Sequence, residues 1–143
     1  MGGYDSTGGA YLYFEDNGIL LADATNSEAR GGIYVVPAGT SSISIWTIIV
    51  YSSGGAVNIY GTSYASGGGC GEVLAHSTNS TLPAHTIALP AMGGGFANGW
   101  ACIDTFSLPV EAGDNVIFRF VRDATNVADT LNTDIYVYGW LII

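Results

Sequence analysis

Histidine and cysteine are the residues of this chain best suited to bind a metal ion, and the chain has two of each. His76 and His85 lie on either side of Pro83, and Cys70 precedes them. Zinc sites are typically built from closely paired cysteines or from two histidines one helical turn apart. Neither spacing occurs here. We therefore interpret both histidines as loop or interface residues and predict no metal and no other cofactor.

The two cysteines, Cys70 and Cys102, could form one disulfide bond. Closing a loop of this length would stabilise the fold by ~3 to 4 kcal/mol. The alternative is that Cys102 lies in a half-buried strand and packs there as a small hydrophobic residue with a free thiol. Spacing alone does not decide between these alternatives, because a disulfide requires a specific geometry.

Three aspartates in and beside a polar segment near the C-terminus could supply oxygen ligands to Ca²⁺, namely Asp123, Asp129 and Asp134. Calcium takes carboxylate and carbonyl oxygens from loops, although the spacing of an EF-hand loop is absent here. The alternative is that Arg122 pairs with one of these carboxylates while the others accept hydrogen bonds within turns. Both interpretations fit the sequence.

No motif of a catalytic site is readable in the chain. It has no Gly-x-Ser-x-Gly elbow, no phosphate-binding loop and no recognisable Ser-His-Asp set. A glycosidase needs two carboxylates facing one cleft, an arrangement that spacing does not reveal. We predict from the missing signatures that the protein is not an enzyme.

Aromatic side chains are the most abundant candidates for binding. Phe96 and Trp100 lie beside a glycine-rich segment, and we predict that they contact a ligand, because an exposed aromatic row can stack on sugar rings. Tyr136, Tyr138 and Trp140 are instead predicted to lie at a core or subunit interface, where Tyr and Trp are enriched.

The element that must position these last aromatics is a strand predicted at residues 135–143. Side chains alternate between the two faces of a strand, and here both faces are apolar. We therefore predict that the strand is covered on both sides. One face would fill a sandwich: Ile135, Val137, Gly139, Leu141 and Ile143. The other face would meet partner subunits: Tyr136, Tyr138, Trp140 and Ile142. The reverse assignment of the two faces is the alternative.

The rest of the chain also reads as strands separated by tight turns. Gly occurs 21 times and Tyr nine times, and no helical heptad pattern is present, which predicts an all-β sandwich or barrel. We expect a glycine-rich arm without a strand at residues 1–9 and one β-sandwich domain at residues 10–143. Within this domain a hairpin is predicted at residues 10–22 and a polar loop at 23–30. Long exposed loops are predicted at 66–99, with short strand candidates at 72–76 and 86–89. Other strands are predicted at residues 32–36, 42–51, 56–65, 100–109 and 115–122.

The charge of the chain excludes two classes of partner. There is no Lys, three Arg stand against twelve acidic residues, and the formal net charge is −9. Nucleic-acid binding needs a basic stripe, and attraction to an anionic membrane surface needs basic residues as well. No apolar run reaches the length of a membrane span. We predict that neither nucleic acid nor a membrane is a partner.

The C-terminal part, residues 100–143, resembles two groups of proteins. The turn Ala112-Gly113-Asp114, the alternating strand with Val116, Phe118 and Phe120, and the ending Tyr-Gly-Trp-Leu at 138–141 resemble jelly-roll domains of the C1q and tumour-necrosis-factor type. Arg-Phe-Val-Arg-Asp at 119–123, before Ala-Asp-Thr at 128–130, is similar to the tails of small structural proteins of bacterial viruses. These resemblances imply a jelly roll, a trimer and a last strand near the threefold axis. The chain departs from the C1q pattern because it has no collagen-like stalk and a less charged surface.

Two functions are therefore expected. The first is a non-enzymatic virion protein: a single jelly-roll sandwich of about eight or nine antiparallel strands that forms a homotrimer and decorates or cements the capsid at the virion surface. Its partners would be copies of itself and a capsid protein. The alternative is a glycan- or receptor-binding module such as a phage fibre tip, with its site in the loops of residues 66–99.

Overall fold

A computed structural model describes residues 3–7, 10–67, 77–91 and 99–143, with side chains described from residue 18 onward except at 32, 33 and 77. These residues form nine strands and no helix. The strands are β1 Gly3–Thr7, β2 Ala10–Leu21, β3 Asn26–Val35, β4 Ser42–Tyr51, β5 Gly55–Ser66, β6 Ser77–Leu89, β7 Gly99–Pro109, β8 Asn115–Asp123 and β9 Ile135–Ile142. The predicted all-β class is confirmed.

The strands form two antiparallel sheets, in the orders β1-β2-β9-β4-β7 and β3-β8-β5-β6. From β2 onward the chain passes to the other sheet at every connection except the one between β5 and β6. Without the additional edge strand β1, this is the strand order of an eight-stranded jelly roll, in which two four-stranded sheets are wound as Greek keys. The two sheets pack face to face as a β-sandwich.

The inner faces of the two sheets form one apolar core. On β4 the residues at odd positions point inward and the residues at even positions point outward, as the strand period of two requires. The side chains that are almost fully removed from water come from both sheets: Leu21, Ile45, Ile49, Val57, Ile59, Phe106, Phe120, Ile135 and Val137. Strand β9 lies at the centre of the five-stranded sheet, between β2 and β4.

A β-bulge at Tyr138 changes the predicted faces of β9. The consecutive residues Ile48 and Ile49 of β4 pair with Gly139 and Val137, so Tyr138 is an extra residue on β9. A slip of one residue exchanges the two faces of a strand beyond that point. The prediction that Trp140 and Ile142 lie on the outer face is therefore wrong.

Trp140 and Ile142 lie instead in the core between the sheets, where they are 0% and 1% exposed. The ring centroid of Trp140 lies 4.8 Å from that of Phe118 in the opposite sheet. Tyr136 and Tyr138 keep the outward position that was predicted for them.

Three other predicted segments differ from the structure for reasons of pairing. Residues 3–7 of the expected arm form β1 by pairing with β2. Residues 10–21 are one strand and not a hairpin, because both halves pair with β9 and the turn-like residues form an irregularity between Phe14 and Ile19. Gly18, with φ of +70°, lies in this irregularity. The polar segment predicted as a loop at 23–30 is largely β3, which pairs with β8 from Asn26 onward.

Strand β6 occupies much of the segment predicted as long loops. It contains Pro83, and two features permit this. First, β6 is an edge strand. Second, its register with β5 shifts at that point, where Ile59 pairs with His85 and Gly61 pairs with Leu82. Proline has no backbone N–H to donate. It is tolerated on edge strands and at irregularities of register because no hydrogen bond between strands is lost there. The prediction of exposed loops is therefore wrong for residues 77–85, whereas the short strand predicted at 86–89 is part of β6.

Candidate functional site

The outer face of the five-stranded sheet carries a group of neighbouring apolar side chains. We call it the aromatic face and define it by eight outward-pointing residues of β2, β4, β7 and β9: Leu20, Trp46, Ile48, Val50, Trp100, Tyr136, Tyr138 and Leu141. None of these side chains is charged. A sheet with water on its outer side normally alternates apolar residues with polar ones, and this sheet does not.

Strand pairing places four members of the aromatic face in one row across four strands. Leu20 pairs with Tyr136, Tyr136 with Val50, and Val50 with Trp100. Leu20, Tyr136 and Trp100 are 47%, 38% and 64% exposed, whereas Val50 is covered by its neighbours. Directly opposed side chains on adjacent strands touch, so the row is a continuous apolar band.

The aromatic rings on this face form a connected group. The ring centroid of Trp100 lies 5.7 Å from that of Tyr138, with a tilt of 47°, and the centroid of Tyr138 lies 6.4 Å from that of Tyr136 in an edge-to-face arrangement. Both distances are in the range of favourable aromatic pairs. The bulge at Tyr138 makes this possible because it keeps Tyr138 on the outer face while Trp140 turns inward.

The aromatic face has no cation, and a negative charge lies beside it. The chain has no Lys, and its three arginines all lie elsewhere. Asp104 points outward from β7 opposite Trp46. Burial, and next the charge of Asp104, raise the pKa of the Cys102 thiol, which lies two residues from Asp104 on the same face. A partner for this surface must therefore bind through apolar contact.

The predicted disulfide and the predicted ligand contacts involve residues that the structure describes only in part. Cys102 is a free cysteine on the outer side of β7. Cys70 and Phe96 lie outside the described residues. Trp100 is the most exposed aromatic side chain among the described residues, as a ligand contact requires, and it stands on a strand of the aromatic face.

The three aspartates considered for calcium have separate partners. Asp129 binds Arg122 through both carboxylate oxygens, with an Nε–Oδ2 distance of 3.0 Å and an Nη2–Oδ1 distance of 2.8 Å. Asp123 accepts a hydrogen bond from the Thr125 hydroxyl, and Asp134 accepts one from the backbone N–H of Asp23. No group of three His, Cys, Asp or Glu side chains that could hold a metal ion occurs among the described residues. The ion pair with Arg122, the alternative interpretation, is the arrangement found.

A second surface, on the outer side of the four-stranded sheet, was not found by sequence reasoning. Arg30 of β3 and Arg119 of β8 are paired residues on adjacent strands. The Glu28 carboxylate bridges them: one oxygen accepts from Nε of Arg30 at 2.8 Å and the other accepts from Nε of Arg119. Glu28 and Arg119 are 91 residues apart in sequence, so only the register of β3 and β8 reveals this arrangement.

No helix among the described residues is long and apolar enough to cross a membrane. No family model matches the chain. No curated protein matches it.

Solved structures of infectious bursal disease virus are among the known structures to which this chain is similar. A structure of the Gt strain matches 93% of this chain with a TM-score of 0.45 and 11% identity, and a crystal structure of the viral particle matches 93% with a TM-score of 0.49 and 10% identity. A crystal structure of the VP2 subviral particle of the same virus matches 99% with a TM-score of 0.35 and 10% identity. This chain spans 30% of the length of each of those chains.

Proposed function

We propose that this protein is a non-enzymatic structural protein that assembles with copies of itself through the aromatic face. The single observation that supports this most directly is the aromatic face itself, with eight uncharged, mostly aromatic or branched side chains on the outside of a sheet. The centres of protein interfaces are enriched in Tyr and Trp and depleted in charge. Further copies supply surfaces of the same apolar chemistry, and around a threefold axis the face of each copy meets those of the other two.

The distribution of charge favours a like partner over an unrelated charged one. The face has no cation to pair with an acidic protein, and the negative charge of Asp104 lies at one side of it. Apolar contact between copies needs no ion pair. The net charge of −9 resists unspecific aggregation at the same time, because the rest of each copy repels its neighbours.

Our specific proposal for the assembly is a homotrimer that decorates or cements the surface of a virion. It is supported by the jelly-roll strand order and by the resemblance of residues 100–143 to small structural proteins of bacterial viruses and to trimeric jelly rolls. Strand β9, which was expected near a threefold axis, provides Tyr136 and Tyr138 to the aromatic face. Its partners would be two further copies and a capsid protein.

Sedimentation of the wild-type protein and two matched tyrosine variants tests the assembly. Tyr136→Ser removes a ring from the aromatic face, and Tyr64→Ser removes a ring of similar exposure from the outer side of the other sheet. Truncating a central interface aromatic costs ~2 kcal/mol, which is about a thirtyfold weaker association. We expect a trimer for the wild type and for Tyr64→Ser, and a shift toward monomer for Tyr136→Ser. A wild-type monomer at micromolar concentration would contradict the proposal.

Electron cryomicroscopy of particles that contain the protein tests the virion role separately. Density for three copies bound on the outside of a capsid shell is the expected result. A trimer that binds no shell would leave the self-assembly in place and refute the decoration role.

A glycan-binding module is the second candidate, and the exposure of Trp100 favours it. A ring that is 64% exposed and stands beside Tyr138 and Tyr136 offers a flat surface on which a neutral sugar could stack. A glycan array that compares the wild type with Trp100→Ala tests this. Sugar binding that Trp100→Ala abolishes would support the module, and an array without signal would refute it.

A further inference from the structure

The outer side of the four-stranded sheet holds an open cleft of about 370 Å³. It is lined by residues of β3, β5 and β8: Arg30, Gly31, Thr62, Tyr64, Ile117, Phe118 and Arg119. This volume lies in the range of small-molecule sites. Arg30 and Arg119 are two of the chain's three basic residues, and the third, Arg122, is buried. Every basic side chain that solvent can reach therefore lies at this cleft.

The two arginines are placed where their charges repel. Like charges directly opposite each other on adjacent strands destabilise a sheet, and Arg30 and Arg119 are directly opposed on β3 and β8. Glu28 offsets the repulsion by bridging both Nε atoms, but one carboxylate leaves this group of three side chains with one positive charge. Arg119 also lies over the Tyr60 ring, with its Cζ atom 5.9 Å from the ring centroid, which holds the guanidinium in position.

The guanidinium groups keep donors beyond the bridge. Glu28 meets each arginine at Nε, and the terminal Nη amino groups lie farther out along each side chain. Planar guanidinium groups bind carboxylates and sulfates through pairs of parallel hydrogen bonds. Arg30 is 71% exposed at its side chain, so its amino groups are accessible to a ligand.

The other wall of the cleft is apolar and flat. Tyr64 and Ile117 are paired residues on β5 and β8, and each is 47% exposed. Thr62 lies two residues before Tyr64 on the same face of β5. It pairs with Arg119 and adds a hydroxyl between the two walls. An anion-binding pair of arginines thus stands next to an aromatic ring and a hydroxyl within one small cleft.

We infer that this cleft binds a single anionic sugar unit, with its acidic group on Arg30 and Arg119 and its ring against Tyr64. The acidic group could be the carboxylate of a uronic sugar or the sulfate of a sulfated one, since both fit the guanidinium fork. The inference does not depend on the assembly proposed above, because the cleft and the aromatic face lie on opposite sheets.

Side-chain NMR of the arginines gives a direct test, because the chain has three Arg and therefore three Nε–H signals. The protein would be titrated with glucuronate, glucose 6-sulfate, neutral glucose and acetate. We expect glucuronate or the sulfate ester to shift the signals of Arg30 and Arg119 while that of buried Arg122 stays unchanged. Whichever acid binds more tightly identifies the acidic group. Equal binding of neutral glucose, equal binding of acetate, or no shift with either sugar acid would each overturn the inference.

Three variants separate ligand binding from an effect on folding. Arg30→Gln should weaken binding by about tenfold or more, since charged hydrogen bonds are lost. Glu28→Gln should strengthen binding, because it removes the carboxylate that competes with the ligand for the two arginines. Stronger binding would not result if Glu28 had only a structural role. Val127→Ala, at a fully exposed position between β8 and β9, is the control and should leave binding unchanged. Binding that is indifferent to both Arg30→Gln and Glu28→Gln would refute the site.

Discussion

Replacement of Arg122 by Met should cost more stability than any other single change outside the apolar core. The Arg122 side chain is fully buried, and it is the centre of a network at one end of the sandwich. Besides its two bonds to Asp129, it donates from Nη2 to the carbonyl oxygen of Leu131 at 2.6 Å and from Nη1 to that of Thr133 at 2.7 Å. It therefore fixes the whole segment between β8 and β9 to the end of β8.

The expected magnitude follows from the burial of both charged partners. The Asp129 side chain is 1% exposed, and without Arg122 it keeps the backbone N–H of Asn58 as a hydrogen-bond donor at 3.1 Å. Removing one partner of a buried ion pair costs ~3 to 5 kcal/mol. For a chain of this length such a loss lowers the Tm by roughly 10 °C or more. Asp129→Asn should cost less, about 2 kcal/mol, because the amide oxygen still accepts one bond and the two carbonyls still hold the guanidinium.

Urea unfolding of Arg122→Met, of Asp129→Leu and of the double variant Arg122→Met/Asp129→Leu measures the coupling. The double variant buries no charge, so it should be more stable than Arg122→Met alone. Arg30→Met is the control for an exposed arginine and should change the free energy of unfolding by less than about 1 kcal/mol. Each variant should be unfolded at several protein concentrations, because assembly adds to apparent stability. A decrease of less than about 1 kcal/mol in the free energy of unfolding of Arg122→Met would refute the reasoning, since it would mean that the buried Asp129 carboxylate does not need its partner.

Three further predictions concern single sites. Gly61→Ala should destabilise the protein by ~1 to 3 kcal/mol, because a Cβ there would lie 2.3 Å from the carbonyl oxygen of Arg119. Ser63→Ala on the same strand is the control. Equal thermal stability of the two variants would contradict the clash. Arg119 and next Arg30 lower the pKa of Glu28 below its usual 4.5, so its stabilising contribution is present above that pH and is lost as the pH falls through the lowered value. Urea unfolding between about pH 3 and about pH 6 should therefore show a weaker acid dependence for Glu28→Gln than for the wild type, and parallel curves would refute this. Cys102, studied in a Cys70→Ser background, should react with maleimide more slowly than the amino acid cysteine in solution, because its thiol pKa is raised. Asp104→Asn should speed the reaction. An unchanged rate in Asp104→Asn would contradict the effect assigned to the Asp104 charge.

The parts of the fold that local sequence determines were predictable. Strand β4 has the predicted limits, Ser42 and Tyr51, because a long apolar run with an alternating start lies between two turn signals. The hairpin turn predicted at Asp16-Asn17-Gly18 was wrong because long-range pairing decides the structure there. These residues have the local chemistry of a tight turn, yet both flanking segments pair with the same strand, β9.

The candidate surfaces depended on facts that no local pattern contains. Alternation along β9 predicted Tyr136 and Tyr138 correctly and failed at Trp140, because one extra residue at the bulge reverses the faces beyond it. The cleft of Arg30 and Arg119 requires the register of β3 against β8, which pairs residues far apart in sequence. The composition did give one useful indication. With only three arginines and no lysine, each basic residue is expected to have a specific partner, and each of the three arginines pairs with a carboxylate.

The two outer faces of the sandwich have opposite chemistry, and this sets how they can work together. One face is apolar and without cations, and the other holds both accessible arginines. Since the two sheets lie back to back, assembly through the aromatic face would leave the cleft of every copy open to solvent. Several weak anion sites on one particle bind a surface rich in acidic sugars far more tightly than one site does. The monomeric Tyr136→Ser variant should then keep its affinity for a single sugar acid and lose much of its affinity for a polyanionic surface. Such a difference would connect the assembly to the cleft without any contact between them.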